Sequence, residues 1–400
     1  MELNETIRQL ADRAEPDVIR YRRQVHTYAE VAETEFKTKA LVLEQARRLG
    51  LPWEEVPTTS VIVRLETGRP GRCVALRADM DALPMAENPR NLTGPRTCCS
   101  EQPGTAHGCG HDAHTAMLMG AMQVLTTLRD RLCGTVLFCF EEGEERGSGV
   151  RALLDALEKY KVDFCWAIHV YAGLEEGKMS VDPGPRMAGA SLIDVRFTGR
   201  GGHGSRPDLS VNPVFCGAAF LNELCVAFSN QITAGQTVTM GITMFHAGEA
   251  LNVIPNTAEI KGTFRFFDLD EGRHAMEIVR AVGDHTAAIH RCQVEYCSNM
   301  LSYISQPVMT DPYCAEAAQR ALQQVLPAGT LVRCEPWYAS EAFGRWLARY
   351  KGVFAFLGIR NLAGGYGAEH HNDRFDLNES VLKTGVIATA RYAVEMLQQA

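Results

Sequence analysis

The sequence predicts an α/β protein into which a smaller α+β domain is inserted. Three observations predict it: strand-like and helix-like segments alternate through the first half, chemically active residues sit where those strands stop, and a turn-rich break at Pro183-Gly184-Pro185 opens a block of different makeup. In the first half, segments 61–65, 73–77, 135–140 and 162–168 read as strands, and 150–160 as a helix. Segment 110–128 reads as a loop and helix: Met117, Leu118, Ala121, Val124, Leu125 and Leu128 recur at helical spacing, with Asp112 as N-cap and His114 in the first turn. After the break, 190–197, 237–245, 257–265 and 292–296 read as strands and 213–228 as an amphipathic helix, the makeup of an antiparallel α+β domain. From Asp311 onward the chain returns to helices around the apolar strand 353–357, which completes the first domain. The expected organisation is a discontinuous domain of residues 1–185 and 300–400, interrupted by a second domain of residues 186–299.

Composition narrows the class. Four hundred residues, 46% hydrophobic and 22% charged, suffice for two or three domains with a sizeable core. A net charge of −8 without a long basic stripe argues against nucleic acid as partner and favours small-molecule chemistry. No apolar leader or 20-residue apolar run is visible, so a membrane is not an expected partner either. Thirteen cysteines, odd in number and scattered through apolar runs such as Phe138-Cys139-Phe140, read as reduced thiols and predict a cytoplasmic location.

The densest chemistry is His107-Gly108-Cys109-Gly110-His111-Asp112-Ala113-His114-Thr115, a thiol, three imidazoles and a carboxylate in nine residues. Cys109 and His111 stand two apart in a glycine-flanked turn, so both can point at one metal ion. The alternative is a histidine-rich loop around a buried thiol. Asp79 and Asp81 follow one strand, the run Glu141-Glu142-Gly143-Glu144-Glu145 follows another, and His169 closes a third, so these residues share one rim of the sheet. By itself His169 reads first as a strand-end histidine bonded to a carbonyl, and the alternative for the acidic run is a solvated loop, although four carboxylates in five residues call for nearby cations.

Several long motifs in order then carry a family resemblance: Arg22-Arg23-Gln24-Val25-His26, Leu76-Arg77-Ala78-Asp79-Met80-Asp81, the Cys109 cluster, Gly201-Gly202-His203-Gly204, Asn252-Val253-Ile254-Pro255, Gly262-Thr263-Phe264-Arg265 and His371-Asn372-Asp373-Arg374-Phe375. The chain resembles the dinuclear-metal aminoacylase/carboxypeptidase family, in its hippurate hydrolase and indole-acetyl-amino-acid amidohydrolase branch. The resemblance implies a mixed-sheet metallopeptidase-type catalytic domain with an inserted ferredoxin-like lid and dimerisation domain. It also implies hydrolysis of small N-acyl amino acids by a homodimer carrying two divalent ions, with manganese, zinc, nickel and cobalt all compatible with the donor set.

Carried over by the resemblance, the metal ligands are Cys109, His111, Glu145, His169 and His371, with His370 as the neighbour that competes for the last place. The acidic run departs from the nearest branch by carrying two glutamate pairs. Its Glu-Glu-Arg-Gly-Ser ending resembles the dipeptidase branch, so Glu144 is expected as general base and Glu145 as ligand, with Glu141 and Glu142 as the competing pair. Asp81 charges or orients the site, and Asp79 and His114 stand behind the ligands. His203 is expected to stabilise the oxyanion across the dimer, while Asn252 and Arg265 hold the substrate carboxylate. Glu341 sits in a segment where Ala342 replaces the family's aspartate. The competing functions are a dipeptidase or carboxypeptidase on the same scaffold, and a metal-binding relative without hydrolytic activity.

Overall fold

Residue spacing dictates the first helix. Ile7, Ala11, Ala14, Val18, Tyr21, Arg22, Val25 and His26 are its buried positions, three or four apart, and they make one stripe of the 26-residue α1 (Leu3–Tyr28). The computed structural model describes residues 3–297, 300 and 304–399 and divides into two compact units. One comprises Met1–Arg186, Met309–Glu335 and Arg345–Ala400; the other comprises Met187–Val308 and Pro336–Gly344. The expected boundaries therefore shift: residues 300, 304–308 and 336–344 group with the smaller unit rather than the larger.

The larger unit is built on a seven-stranded mixed sheet of β1 (Trp53–Val56), β2 (Ser60–Glu66), β3 (Cys73–Asp79), β4 (Thr135–Glu141), β5 (Phe164–Glu175), β6 (Met179–Ser180) and β15 (Lys351–Arg360), in the order β1-β2-β4-β3-β5-β15-β6. The four central strands β4, β3, β5 and β15 run parallel; β1, β2 and β6 pair antiparallel at the edges. Parallel strands covered on both faces read as continuous apolar runs, which is why β3 and β4 were legible as buried. The pairing Asp79↔Glu141 brings the carboxyl ends of β3 and β4 level. One expectation is corrected here. His169 does not close its strand; β5 runs on to Glu175 because β15 continues to pair with it through Val170, Tyr171 and Glu175.

The further long helices of this unit are α2 (Phe36–Arg48), α3 (His111–Thr127), α4 (Val150–Leu157) and, after the second unit, one at each end of the returning segment. Helix α3 is buried on nearly every side, from His111 to Leu125, as expected of a helix apolar all round. Asp112 is not its N-cap. Gly110, in the left-handed region at φ 91°, takes that place, and Asp112 lies in the first turn with its carboxylate drawn off to Arg22 and His26.

In the smaller unit the strands β8 (Gly189–Thr198), β10 (Val238–His246), β12 (Thr257–Phe266) and β13 (Gln293–Tyr296) form an antiparallel sheet ordered β10-β12-β8-β13. With α5 (Pro213–Gln231) between the first two and α6 (Leu269–His290) between the last two, the connectivity is the β-α-β-β-α-β ferredoxin-like one. Asn212 caps α5 through Val214 N–H, ahead of a proline at the first helical position, and Asp268 caps α6 through Glu271 N–H. A two-residue ladder joins β9 (Gly202–His203) to β11 (Val253–Ile254). The short strands β7 (Gly184–Met187) and β14 (Val308–Thr310) lie where the chain passes between units, and the returning segment carries α7 (Pro312–Gln323) and α8 (Leu382–Leu397). Among the described residues no helix is long and apolar enough to cross a membrane.

Candidate metal centre

The turn before α3 is shaped by contact with its surroundings. A Cβ on Gly108 would meet Met85 Sδ at 2.5 Å, and one on Gly110 would run into Val170 Cγ2. Gly110 lets the turn approach β5 while Gly108 lets it pack on Met85, and Cys109 Sγ lies 3.6 Å from His169 Nε2. Backbone and carboxylate partners then fix the ring orientations. His169 Nδ1–H donates to the Val170 carbonyl at 2.6 Å, and His111 Nδ1–H donates to Asp81 Oδ1 at 3.1 Å. Each ring thus presents Nε2 to the cluster, the tautomer a metal requires.

Among the described residues four donor groups have their ligand atoms within 4.8 Å of one another: Cys109, His111 and His169; Cys109, Glu145 and His371; His111, Glu144 and Glu145; and Asp79, His111 and His114. Cys109 is common to the first two, which otherwise share no residue. His371 Nε2 lies 3.2 Å from Glu145 Oε1. The set fits a dinuclear site on two observations. His111 Nε2 is buried without a hydrogen-bond partner, a position that in a folded interior calls for an ion or water. Burial also pushes the Cys109 thiol well above its usual range, so only a bound cation would make it the thiolate that ligates.

The acidic run divides its labour. Glu141 is fully buried, with Oε1 2.7 Å from Arg77 Nη2 and Oε2 accepting the Trp346 indole N–H at 2.8 Å. Glu142 accepts the backbone N–H groups of Thr58 and Thr59 and the Thr59 hydroxyl. Both are committed to holding strand ends. Glu144 and Glu145 instead occupy a 3₁₀ turn (Glu144–Arg146) flanked by Gly143 and Gly147, both in the left-handed region. Asp81 holds that turn: its Oδ1 accepts Glu144 N–H at 3.1 Å and its Oδ2 accepts Glu145 N–H at 3.0 Å. Burial pushes the Glu145 carboxyl up, but the His371 hydrogen bond and the His111 charge outweigh it and hold it low.

Behind this layer lie groups already satisfied. His114 Nε2 accepts Val170 N–H at 2.9 Å while Nδ1 donates to Asp79 Oδ1 at 2.6 Å; Asp79 Oδ2 pairs with Arg77 at 2.7 Å. His370 Nε2 accepts Ala172 N–H at 3.2 Å, and its Nδ1 lies 3.8 Å from Cys109 Sγ, so His370 supports the thiol while His371 faces Glu145. A buried ionic network, left unassigned by the sequence, lies one turn away. Arg22 Nε donates to Asp112 Oδ2 at 2.8 Å, and His26 bridges Asp112 and Glu87, 2.8 Å from each. Arg22 also reaches Glu379, at 3.4 Å. The signal was present: Arg22 and His26 fall on the apolar stripe of α1, where a charge needs a partner.

The remaining expected site residues belong to the smaller unit. The β9–β11 ladder brings His203 beside Val253, next to Asn252, whose carbonyl accepts Gly204 N–H at 2.8 Å. His203 Nδ1 accepts Ser205 N–H at 3.1 Å, which leaves the proton on Nε2. Arg265 stands apart on β12, paired with Thr239 and Ala190. Glu341 folds back on its own turn, accepting Phe343 N–H at 2.9 Å.

Residues 75–395 match the family described as Peptidase family M20/M25/M40. Thermostable carboxypeptidase 1 of Saccharolobus solfataricus is 32% identical over 403 residues, 99% of each chain. The N-acyl-L-amino acid amidohydrolase of Geobacillus stearothermophilus is 37% identical over 266 residues, covering 66% of this chain and 70% of that protein. The crystal structure of the Bacillus subtilis YXEP protein, described as a dinuclear metal binding peptidase from M20 family, shares 26% identity at a TM-score of 0.82, covering 97% of this chain and 100% of that one. With a cysteine-centred cluster on the rim of a mixed sheet and a match over most of its length, the chain belongs to peptidase family M20/M25/M40.

Proposed function

We propose that the protein is a metal-dependent amidohydrolase that cleaves the amide bond of small N-acyl amino acids. The observation that carries this reading is the Glu144-Glu145 turn, clamped by Asp81 against the Cys109 and His111 cluster while Glu141 and Glu142 are occupied elsewhere. Cys109, His111, Glu145, His169 and His371 are the residues that would hold two divalent ions, in two groups that share the thiol. Bound there, the ions supply Lewis acidity for the scissile carbonyl and lower the pKa of water toward neutrality. Manganese, zinc, nickel and cobalt all suit this mixture of thiolate, imidazole and carboxylate.

Glu144 is the general base. It takes the proton of the attacking water as the tetrahedral centre forms and returns it to the leaving amine nitrogen, a role typically worth 10²–10⁴-fold. Asp81 fixes the His111 tautomer and the backbone of both glutamates, so ligand and base stay in register. His203, protonated at Nε2, is suited to donate to the developing oxyanion, and we assign it that role in the partner of a homodimer. Asn252 and Arg265 are assigned to the substrate carboxylate, for which a guanidinium fork offers two donors. The thirteen cysteines, all free thiols, support a cytoplasmic location.

A second reading, carboxypeptidase or dipeptidase, is favoured by the Saccharolobus relative named a carboxypeptidase over the whole chain. One screen separates the readings: the metal-loaded protein is offered benzoyl- and acetyl-amino acids beside dipeptides and blocked peptides, with each of the four metals. Faster turnover of acyl amino acids supports the main reading, and faster turnover of peptides the second. Absence of turnover despite stoichiometric metal refutes both. Mixing His203→Ala subunits with Glu144→Gln subunits restores activity if His203 acts across the dimer; inactive, verified mixed dimers refute that assignment.

A further inference from the structure

Glu35 is a buried carboxyl that the chemistry above leaves unused. It stands at the N-cap of α2, where a carboxylate would ordinarily accept the free backbone N–H groups, yet its side chain makes no cap bond. Glu30 does that work, accepting Lys37 N–H at 2.9 Å, Thr38 N–H at 2.9 Å and the Thr38 hydroxyl at 3.1 Å. Released from capping, the Glu35 side chain turns inward. Its Oε1 accepts Gly143 N–H at 2.8 Å, and its Oε2 lies 2.6 Å from Thr59 Oγ1.

A proton count decides what Glu35 is. The Thr59 hydroxyl lies between two carboxyls, 2.6 Å from Glu35 Oε2 and 2.8 Å from Glu142 Oε2, and a hydroxyl has one proton to give. If both carboxyls were ionised, one of the two contacts would set lone pair against lone pair. One of them therefore carries a proton. Glu35 is the one placed to hold it: it is fully buried with Asp81 for a neighbour, whereas Glu142 accepts the backbone N–H groups of Thr58 and Thr59. The chain of donors thus runs from Glu35 Oε2–H to Thr59 Oγ1, and from Thr59 Oγ1–H to Glu142. Two acidic neighbours act in the same direction, Asp81 and, across the Thr59 hydroxyl, Glu142. Burial, with Asp81 adding to it, pushes the Glu35 carboxyl up to about 7.

We propose that Glu35 is kept as a neutral carboxylic acid and, through Gly143, is the positioning residue for the turn that carries Glu144 and Glu145. The proposal deepens the hydrolase reading above and rests on it for the role of Glu144. Gly143 is the pivot of that turn, at φ 61°, and the space where a Cβ would stand is filled by Ser148 Oγ, so the pivot has no slack on that side. Loss of the Glu35 proton leaves two carboxylates on one hydroxyl with Asp81 close by. Repulsion then draws the anchor away from Gly143, and the base moves with it.

The test compares three full-length, metal-loaded proteins: unsubstituted, Glu35→Gln and Glu35→Ala. Glutamine reproduces the neutral acid, its amide donating to Thr59 and its carbonyl accepting from Gly143. Glu35→Gln is expected to retain kcat to within roughly twofold at about pH 6, and to remain flat as pH rises where the unsubstituted enzyme declines. Glu35→Ala is expected to lose roughly 10- to 100-fold in kcat with KM little changed. Infrared difference spectra of the unsubstituted and Glu35→Gln proteins read the proton directly, independent of turnover. A neutral carboxylic-acid carbonyl band, present at low pH, missing in Glu35→Gln and titrating near neutrality, supports the proposal. Absence of that band overturns the neutral acid. A Glu35→Gln enzyme as slow as Glu35→Ala, or one with an unchanged alkaline decline, overturns the positioning role. If the unsubstituted enzyme cleaves none of the amides, the hydrolase reading fails, and the infrared titration still decides the state of Glu35.

Discussion

Replacing Asp81 by Asn removes one charge and exchanges one acceptor for a donor at the point where ligand and base are held together. Asp81 Oδ1 takes His111 Nδ1–H at 3.1 Å and Glu144 N–H at 3.1 Å, and Oδ2 takes Glu145 N–H at 3.0 Å. Asparagine has a single acceptor oxygen. With its carbonyl at the Oδ1 position two bonds survive without charge assistance, and the amide NH₂ then faces Glu145 N–H, donor against donor. The flipped amide is worse, since it opposes both His111 and Glu144. One buried N–H left unmade, with the charge lost from two other bonds, costs about 2–3 kcal/mol. At 1.4 kcal/mol per tenfold this is roughly 30- to 150-fold in metal affinity, close to the range known for outer partners of metal-bound histidines. The assay is metal content after dialysis against graded chelator, alongside kcat at saturating metal. A variant that keeps its metal at the same chelator concentration as the unsubstituted protein, with unchanged kcat, refutes the assignment of Asp81.

The two glutamate pairs give opposite expectations. Glu144→Gln retains metal and loses about 10²–10⁴-fold in kcat, whereas Glu142→Gln chiefly lowers the urea midpoint; the reverse pattern would show the register to be wrong. Arg22→Met leaves Asp112 buried beside His26 alone and is expected to destabilise by roughly 3–5 kcal/mol, read from urea unfolding; a loss below about 1 kcal/mol would mean the network carries little. Stability should also follow the Glu35 proton. Its carboxyl is raised from an ordinary 4.5 to about 7 in the folded chain, so its contribution is full below 4.5 and fades as pH rises through 7. The difference, at 1.36 kcal/mol per unit, is roughly 3 kcal/mol. Denaturant midpoints of the unsubstituted protein should therefore fall relative to Glu35→Gln between about pH 5 and pH 8; parallel curves would contradict the shift.

The parts of the fold that could be read from sequence are those whose burial leaves a mark on one strand or helix. The strands β3, β4 and β15 carry long apolar runs, and α5 begins with a proline behind a capping Asn212. The early helices were less visible. In α1 the stripe is interrupted by Arg22 and His26, and it becomes apolar in effect only once Asp112, Glu87 and Glu379 neutralise those charges from elsewhere in the chain. The extent of β5 beyond His169 is set by pairing with β15, nearly two hundred residues later, which no local pattern carries. At the site, glycine spacing and donor identity pointed to the Cys109 turn. Which glutamate pair faces it depends on Thr58, Thr59 and Trp346 occupying the other, and those partners lie far away in sequence.

The seclusion of α3 has a kinetic consequence. His111 begins a helix with hardly a solvent-facing side, and a Cβ on Gly120 at its middle would meet Val18 of α1 at 2.5 Å and Val386 of α8 at 2.8 Å. A helix wedged this closely has no room for local fraying, so its amide hydrogens exchange with solvent only when the whole larger unit opens. The protection factors of α3 thus report the opening free energy of that unit, and metal that binds only the folded form should raise them in step with its concentration.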